Sequence, residues 1–325
     1  MKASAFAPSN IAFTKYWGRK DEVLRLPENG SIAMTLSDLI THTTVQFDES
    51  FNEDSFELNG EIEEGEESRV GKHLDRIRKM ANIALHAKVV STNNFPTGTG
   101  LSSSASGFAA LTVAGAKAAG LNLTEKELSI LARQGSGSAC RSIPSGIVEW
   151  HDGTTSDASF AETLFLPEHW PELRDIVAIV STGRKEVSTS EGQKSTGKNL
   201  FFPVRVSGMK EKNERLKEII ARKNFKEFGE LVEQEALELH AMMFTSGLIY
   251  LQSGTIEVMR QIKNKWRPEG LAVYFTINTG QDIHLICEEK DEAEVQAKLE
   301  ELDFVRATIV NKPGKGAHIT DQHLF

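Results

Sequence analysis

Residues 95–107 read Phe95-Pro96-Thr97-Gly98-Thr99-Gly100-Leu101-Ser102-Ser103-Ser104-Ala105-Ser106-Gly107. Gly98 and Gly100 open backbone angles closed to other residues. Ser102, Ser103 and Ser104 bring hydroxyls and amides to the start of a helix. Free N–H groups and the positive end of the helix dipole meet there, which makes a ready anion site. The run before it, Ala87–Thr92, has the character of a strand. The run after it, Ala105–Gly120, is small and apolar, as suits a helix packed closely on a sheet. Strand, Gly/Ser loop and small-residue helix together describe a phosphate cradle. The same letters fit a Gly/Ser loop without a ligand. They do not fit a Walker loop, because no Lys-Ser/Thr pair follows the glycines, nor the dinucleotide fingerprint.

Composition narrows the classes. A chain of 325 residues with 39% hydrophobic and 26% charged side chains makes one large or two medium domains. No stretch is apolar and long enough to span a membrane, and the opening Met1–Pro8 lacks an apolar run of signal-peptide length. Two cysteines, Cys140 and Cys287, have no metal-type spacing, so free thiols in a reducing, cytoplasmic setting are expected. A net charge of −9 argues against nucleic acid or an anionic membrane as main partner. A phosphate ligand would need cations gathered locally against that charge.

Periodicity predicts strands at 3–7, 11–16, 31–36 and 41–47, the last alternating through Thr43, Val45 and Phe47. Asn59-Gly60 marks a hairpin turn. Arg69–Leu85 carries Val70, Leu74, Ile77 and Ala81 on one helical stripe. Thr124 with Glu127 reads as a capping box. A buried-type strand is expected at Asp175–Ser181, two long helices between Val204 and Met243, and a helix at Gly254–Lys265. Strands at Leu271–Ile277 and Ile283–Cys287 flank a turn at Gly280, followed by a helix at Asp291–Leu302 and a strand at Ala307–Val310. Strand-rich first and helix-rich second, the order predicts an α+β fold in two lobes with a seam near residue 180.

Two further blocks carry chemistry. In Ala132–Trp150, Ser136 and Ser138 alternate with Gly135 and Gly137, and Arg141 and Ser142 follow at once. Glycines let backbone approach a ligand, serines bond to oxygen anions, and Arg suits bidentate contact with carboxylate or phosphate. Alone, this is equally a turn into a helix with a surface arginine. In Ala7–Asp21, Lys15, Arg19 and Lys20 sit among apolar and aromatic residues; alone, Lys15 could simply snorkel to solvent.

Together, in order and spacing, the three blocks match one family. The chain resembles diphosphomevalonate decarboxylases, a branch of the GHMP kinase superfamily. Asn10-Ile11-Ala12, Lys15-Tyr16-Trp17-Gly18 and Leu26-Pro27 look like the family's opening, and Phe95–Gly107 looks like its ATP loop. Arg133–Ser142 is similar almost letter for letter, and the likeness runs on through Val187–Thr196 and the helix around His240. The resemblance implies a two-lobed GHMP-kinase-like fold with a deep cleft: an ATP-binding lobe at 1–180 and a second lobe at 181–325. It implies phosphorylation of the tertiary 3-hydroxyl of mevalonate 5-diphosphate by ATP with Mg2+, then loss of phosphate and carbon dioxide to give isopentenyl diphosphate. It implies a cytoplasmic homodimer whose partner is a small phosphorylated mevalonate, not nucleic acid or membrane. Lys15 would lie beside the reacting hydroxyl and Arg141 on the carboxylate. Tyr16, Trp17, Lys20, Ser136, Gly137, Ser138 and Thr189 would bind substrate. Pro96, Gly98, Gly100, Leu101, Ser102, Ser103 and Ser104 would hold ATP, with Ser104 on the metal.

One position departs from the pattern. The family carries a catalytic aspartate in a turn reading roughly Phe-Asp-Ala-Gly-Pro-Asn; aligned on Gly280, this chain has Asn278 there, with Gln281 and Asp282 after it. An amide cannot accept the hydroxyl proton, and general-base help is worth about 10²–10⁴ in rate. Three alternatives follow: an enzyme in which Asn278 orients the hydroxyl, a decarboxylase that without ATP takes mevalonate 3,5-bisphosphate, which has no such proton to lose, and a catalytically impaired phosphate-binding homologue. A simple kinase is a further class. Ser190 stands where some members carry an arginine for the diphosphate, and the tail Lys312–Gly316 forms a second basic, glycine-rich turn that resembles branches decarboxylating 5-phosphomevalonate, a further alternative.

Overall fold

The computed structural model describes residues 1–63, 68–96, 100–180, 189–194, 196 and 199–325. The first part of the chain gives β1 (Lys2–Ala12), β2 (Arg19–Asp21), β3 (Leu26–Pro27), β4 (Ser31–Asp48), β5 (Ser55–Leu58), β6 (Glu61–Glu63), α1 (Arg69–Ala81), β7 (His86–Asn93), α2 (Ser103–Ala118) and α3 (Glu125–Gly135). A 3₁₀ turn at Gly137–Ser142 leads to β8 (Ile147–Trp150) and β9 (Ala161–Phe165). The second part gives β10 (Leu173–Ile179), α4 (Thr189–Lys194), α5 (Phe202–Ala221), α6 (Phe225–Thr245), α7 (Ser253–Gln261), β11 (Tyr274–Thr276), β12 (Ile283–Glu288), α8 (Glu289–Glu300), β13 (Ala307–Asn311) and β14 (His318–Thr320).

Two sheets organise these elements. The larger runs β14-β1-β4-β7-β5-β6, with β8 and β9 continuing from the first half of β4; the smaller runs β11-β12-β10-β13. The expected pairs of short strands at 3–7 and 11–16, and at 31–36 and 41–47, are instead two long strands. β1 passes through Pro8 with a register shift between Pro8 and Asn10, which accommodates a residue without an N–H. β4 stays continuous because its two halves serve different partners, β8 before Ser37 and β7 after Ile40. The expected strand at 11–16 stops at Ala12, since Phe13 N and Thr14 N both donate to the Ile32 carbonyl (2.8 and 3.2 Å). That crowded end turns Lys15 out of the sheet.

α2 lies across β1 and β4. It is buried nearly all round, including Ala105, Ala109, Ala110, Ala114 and Ala118, as its small side chains require. α1 ends at Asn82 in the left-handed conformation, short of the expected Leu85. Thr124 and Glu127 form the capping box of α3. β10, which a division at 180/181 assigns to the first lobe, hydrogen-bonds to β12 and β13 in the smaller sheet. β14 returns to β1 in the larger one.

The lobes share a core. Ile11, Phe13, Ile32 and Met34 of the first pack with Val177, Leu216, Phe228 and Tyr274 of the second. Phe13 meets Phe228 edge-on at 4.8 Å. The floor of the cleft is therefore packed hydrocarbon, which holds the groups above it in fixed relation. The tail turn is part of this framework. A Cβ on Gly316 would sit 2.1 Å from the Ile143 carbonyl oxygen, so glycine there permits close backbone approach.

Candidate active site

A cavity of about 280 Å³ opens between the lobes, lined by residues of both. From the first come Lys15, Tyr16, Arg19, Arg25, Arg69, Gly100, Ser102, Ser103, Ser104, Ser136, Gly137, Ser138 and Arg141. The second contributes Thr189, Gln193, Asn278 and Thr279, and the turn after Asn278 packs on Gly100 through Gly280. Five cations line this space and no Asp or Glu does, among the described residues. The local charge opposes the molecule's net −9.

Lys15 sits where β1 ends, 2% exposed. Its backbone is clamped: Lys15 N donates to Glu235 Oε1 (2.9 Å), and its carbonyl accepts from Asn29 Nδ2 (3.0 Å) and an Arg205 terminal nitrogen (2.9 Å). Its Nζ donates to the Ala12 carbonyl (2.6 Å) and to Asn278 Oδ1 (3.2 Å). Burial lowers the ammonium pKa to about 7; Glu235 pulls it up, while Arg141 and Arg205 push it down. Glu235, wholly buried, is held ionised against its own burial by Arg205 and Lys212, each at 2.6 Å.

Arg141 leaves the 3₁₀ turn into the same space, 4% exposed. Asn10 Oδ1 (3.3 Å) and Ser31 Oγ (2.5 Å) orient it, and its guanidinium lies 5.7 Å from the Trp150 ring centre. No carboxylate pairs with Arg141, Arg25 or Arg69 among the described residues. Burial lowers the pKa of all three, Arg69 to about 10. Of the three only Arg141 is buried, and a buried cation without an acid is costly; an anionic ligand relieves that cost. A further donor waits beside them. Gln193 accepts from Gly18 N (2.6 Å) through Oε1, while its buried Nε2 has no partner among the described residues.

The described end of the Gly/Ser loop leads directly into α2. α2 begins at Ser103, and no side chain caps it. Ser102 adopts a left-handed conformation at φ 59°, unusual for a non-glycine residue. Gly100, at φ 113°, lies so near the opposite turn that a Cβ would fall 2.3 Å from Gly280 Cα. Asn278 Nδ2 donates to Ser102 Oγ (3.2 Å), so Asn278 bridges Lys15 and the cradle. A second cavity of about 310 Å³ opens on the far side, lined by Phe56, Leu58, Val89, Phe108 and Leu111 with Ser91 and Asn93. Ser103 and Ser104 line both.

Four expected site residues do not line the cation-rich cavity. Trp17 is packed behind it with Leu239, Met242, Met243 and Tyr250. Lys20 lies on the opposite face of β2 from Arg19, and its ammonium bonds to the Asp152 carbonyl (3.0 Å). Leu101 points into the core, and Pro96 is exposed before the loop. Gly98 lies outside the described residues. Sequence reading missed Arg25, Arg69, Gln193 and Thr279. Arg25 and Arg69 carry no motif, and only the tertiary fold brings them to Arg19; Thr279 accompanies Thr189, their hydroxyls 2.7 Å apart.

The mixed fold of helices and two sheets is the GHMP-kinase-like architecture of solved mevalonate diphosphate decarboxylases. Residues 7–161 match the diphosphomevalonate decarboxylase-like N-terminal domain, and residues 175–320 match the mevalonate 5-diphosphate decarboxylase C-terminal domain. The diphosphomevalonate decarboxylase of Candida albicans is 36% identical over 318 residues, covering 91% of this chain and 87% of that one. The solved complex of MDDEF with MVAPP, AMPPCP and magnesium superposes with a TM-score of 0.93 at 34% identity over 99% of both chains. Mevalonate diphosphate decarboxylase from Staphylococcus aureus gives a TM-score of 0.93 at 34% identity over 98% of both. The chain belongs to the diphosphomevalonate decarboxylase family.

Proposed function

We propose that this protein decarboxylates mevalonate 5-diphosphate with ATP, releasing isopentenyl diphosphate, carbon dioxide, phosphate and ADP. One observation carries the reading: among the described residues, five cations without a lining acid converge on a cavity that meets a second, mostly apolar cavity at the start of α2. The first suits a small, multiply anionic substrate. The second suits a nucleotide base, with Ser103 and Ser104 facing the phosphates between them.

The residues divide the work. Arg141, fixed by Asn10 and Ser31, holds the carboxylate that is lost. Lys15 and Asn278 flank the 3-hydroxyl. Arg19, Arg25 and Arg69, with Tyr16, Ser136, Gly137, Ser138 and Thr189, receive the 5-substituent and neighbouring phosphate oxygens. Bound ATP supplies the phosphoryl group that makes the tertiary oxygen a leaving group. Positioning and neutralising oxygens is what such transfer needs of a protein. The residues fit Mg2+ only through a shared shell. No group of three or more His, Cys, Asp or Glu side chains among the described residues could hold a metal, so Ser104 would meet an ion carried by phosphate oxygens. We place the protein in the cytoplasm as a homodimer. The buried free thiols of Cys140 and Cys287 agree with a reducing compartment, and no helix among the described residues is long and apolar enough to cross a membrane.

Asn278 favours a second reading, in which the substrate arrives with its 3-phosphate in place. The test is incubation with mevalonate 5-diphosphate, 5-phosphate and 3,5-bisphosphate, each with and without ATP. Carbon dioxide from the 5-diphosphate only when ATP is present supports the first reading. Carbon dioxide from the 3,5-bisphosphate without ATP supports the second. Binding without turnover would identify a non-catalytic homologue.

A further inference from the structure

The cavity poses a chemical problem. Phosphorylating a tertiary hydroxyl requires its proton to go somewhere, yet no carboxylate lines the space among the described residues. Both acceptors on Lys15 Nζ, the Ala12 carbonyl and Asn278 Oδ1, are neutral. A carboxylate at either place would hold Lys15 charged. An amide and a carbonyl do not, so a neutral amine is tolerated there, and with both N–H groups engaged its lone pair is left free of either bond.

We propose that Lys15 carries the proton through both halves of the reaction, as base in the first and as acid in the second. This rests on the function proposed above. In the first half the neutral amine takes the 3-hydroxyl proton as that oxygen bonds to the γ-phosphorus of ATP. The bond from that phosphorus to the bridging oxygen breaks, and ADP leaves with the electron pair. In the second half the bond to the carboxylate carbon breaks. Its electron pair forms the new double bond, carbon dioxide departs, and the C3–O bond breaks with its electrons on phosphate. The Lys15 ammonium returns its proton to the departing phosphate, which leaves as monohydrogen phosphate. The amine ends neutral, and no further acid or base is consumed.

The surroundings suit both states. Glu235 on α6 touches the Lys15 backbone rather than its Nζ, and is itself neutralised by Arg205 on α5 and Lys212. Arg141 on the 3₁₀ turn disfavours the ammonium until a carboxylate arrives. Asp175 on β10 is paired with His284 (2.9 Å) and acts only from a distance. His240 on α6 bonds to the Asn278 carbonyl (3.0 Å), and burial lowers its pKa to about 4, so it stays neutral beside Lys15. Tyr16, next in the chain, bonds to Arg19 and is kept protonated by burial. Together these poise the amine at about pH 7.

The test follows lysine side-chain signals of isotope-labelled protein by NMR through a pH titration, alongside kcat/KM on mevalonate 5-diphosphate with ATP. Lys15 is identified as the signal missing from Lys15→Arg. If that variant does not fold, it is the signal whose midpoint moves in Asn278→Asp. One lysine should titrate near pH 7, and the acid limb of kcat/KM should share its midpoint. In Asn278→Asp the new carboxylate should raise the Lys15 midpoint by about 1–3 units, while the activity limb moves to acid pH because the carboxylate takes over as base. At pH 5 that variant should exceed the parent by about a hundredfold, within the range of general-base help. Turnover with Lys15 charged throughout the activity range, or a limb unmoved in Asn278→Asp, overturns the proton path alone. No turnover on any of the three mevalonate phosphates overturns the functional reading and the path with it.

Discussion

At the scale of single residues the site is defined by what its charged groups lack. Arg141 is oriented by two neutral side chains and meets no acid among the described residues, so its charge is available to a carboxylate. Arg141→Ala should abolish most turnover and hardly change ATP affinity, measured by steady-state kinetics and nucleotide titration. Retention of activity within a few-fold of the parent would remove Arg141 from the chemistry. Arg69 donates to the Gly135 carbonyl (3.0 Å) and lies 4.7 Å from the Phe108 ring centre, also without an acid. Losing a charged hydrogen bond costs about 1.5–3 kcal/mol. Arg69→Ala should therefore weaken binding of the phosphorylated ligands by roughly tenfold or more, read by calorimetry. Lys15, Arg141 and the serines were legible because each lies inside a local motif. Arg25 and Arg69 were not, since no local pattern marks a residue that reaches the site from another element. Lys20 was misplaced because β2 is only three residues long, and its alternation, Arg19 inward and Lys20 outward, leaves no period to read.

Elements fix the site by meeting where no side chain fits. Gly100 touches the Gly280 turn at a positive φ, so one glycine satisfies both a backbone angle and a close approach. Gly100→Ala should lower stability by about 1–3 kcal/mol and weaken nucleotide binding together with it. An unchanged Tm with unchanged affinity would make the contact incidental. α1 and α2 meet through His73, whose Nε2 lies 2.8 Å from Thr112 Oγ1 in the apolar core. Burial lowers its pKa to about 3. The unfolded chain protonates this group below about pH 6.5 and the folded chain does not, so stability falls as pH drops through that window. The slope is about 1.4 kcal/mol per pH unit for each such histidine, and His240 adds a second. His73→Gln, which keeps a donor for Thr112, should flatten the acid limb of denaturation curves measured between pH 4 and 7. An identical slope would show that His73 titrates alike in both states. Helices were legible from period and caps, as Thr124 and Glu127 demonstrate. β8 and β9 passed unread because four or five residues beside a glycine turn show no clear alternation. The long strands were divided because Pro8 and the polar Ser37-Asp38 pair look like breaks, although the sheet spans both.

Across the whole molecule, an acidic exterior surrounds a cationic cleft whose floor is a core shared by both lobes. The α+β order was legible in the sequence. The return of β14 to the first sheet and the membership of β10 in the second were not, because strand pairing over such separations leaves no local trace. That architecture holds Arg141, Lys15 and the start of α2 around one small space, from which the proposed reaction follows. The most direct test is the stoichiometry of a single reaction with mevalonate 5-diphosphate and ATP, following carbon dioxide, inorganic phosphate and ADP together. All three should appear in equal amounts. ADP accumulating with a stable 3-phosphorylated product and no carbon dioxide would contradict it.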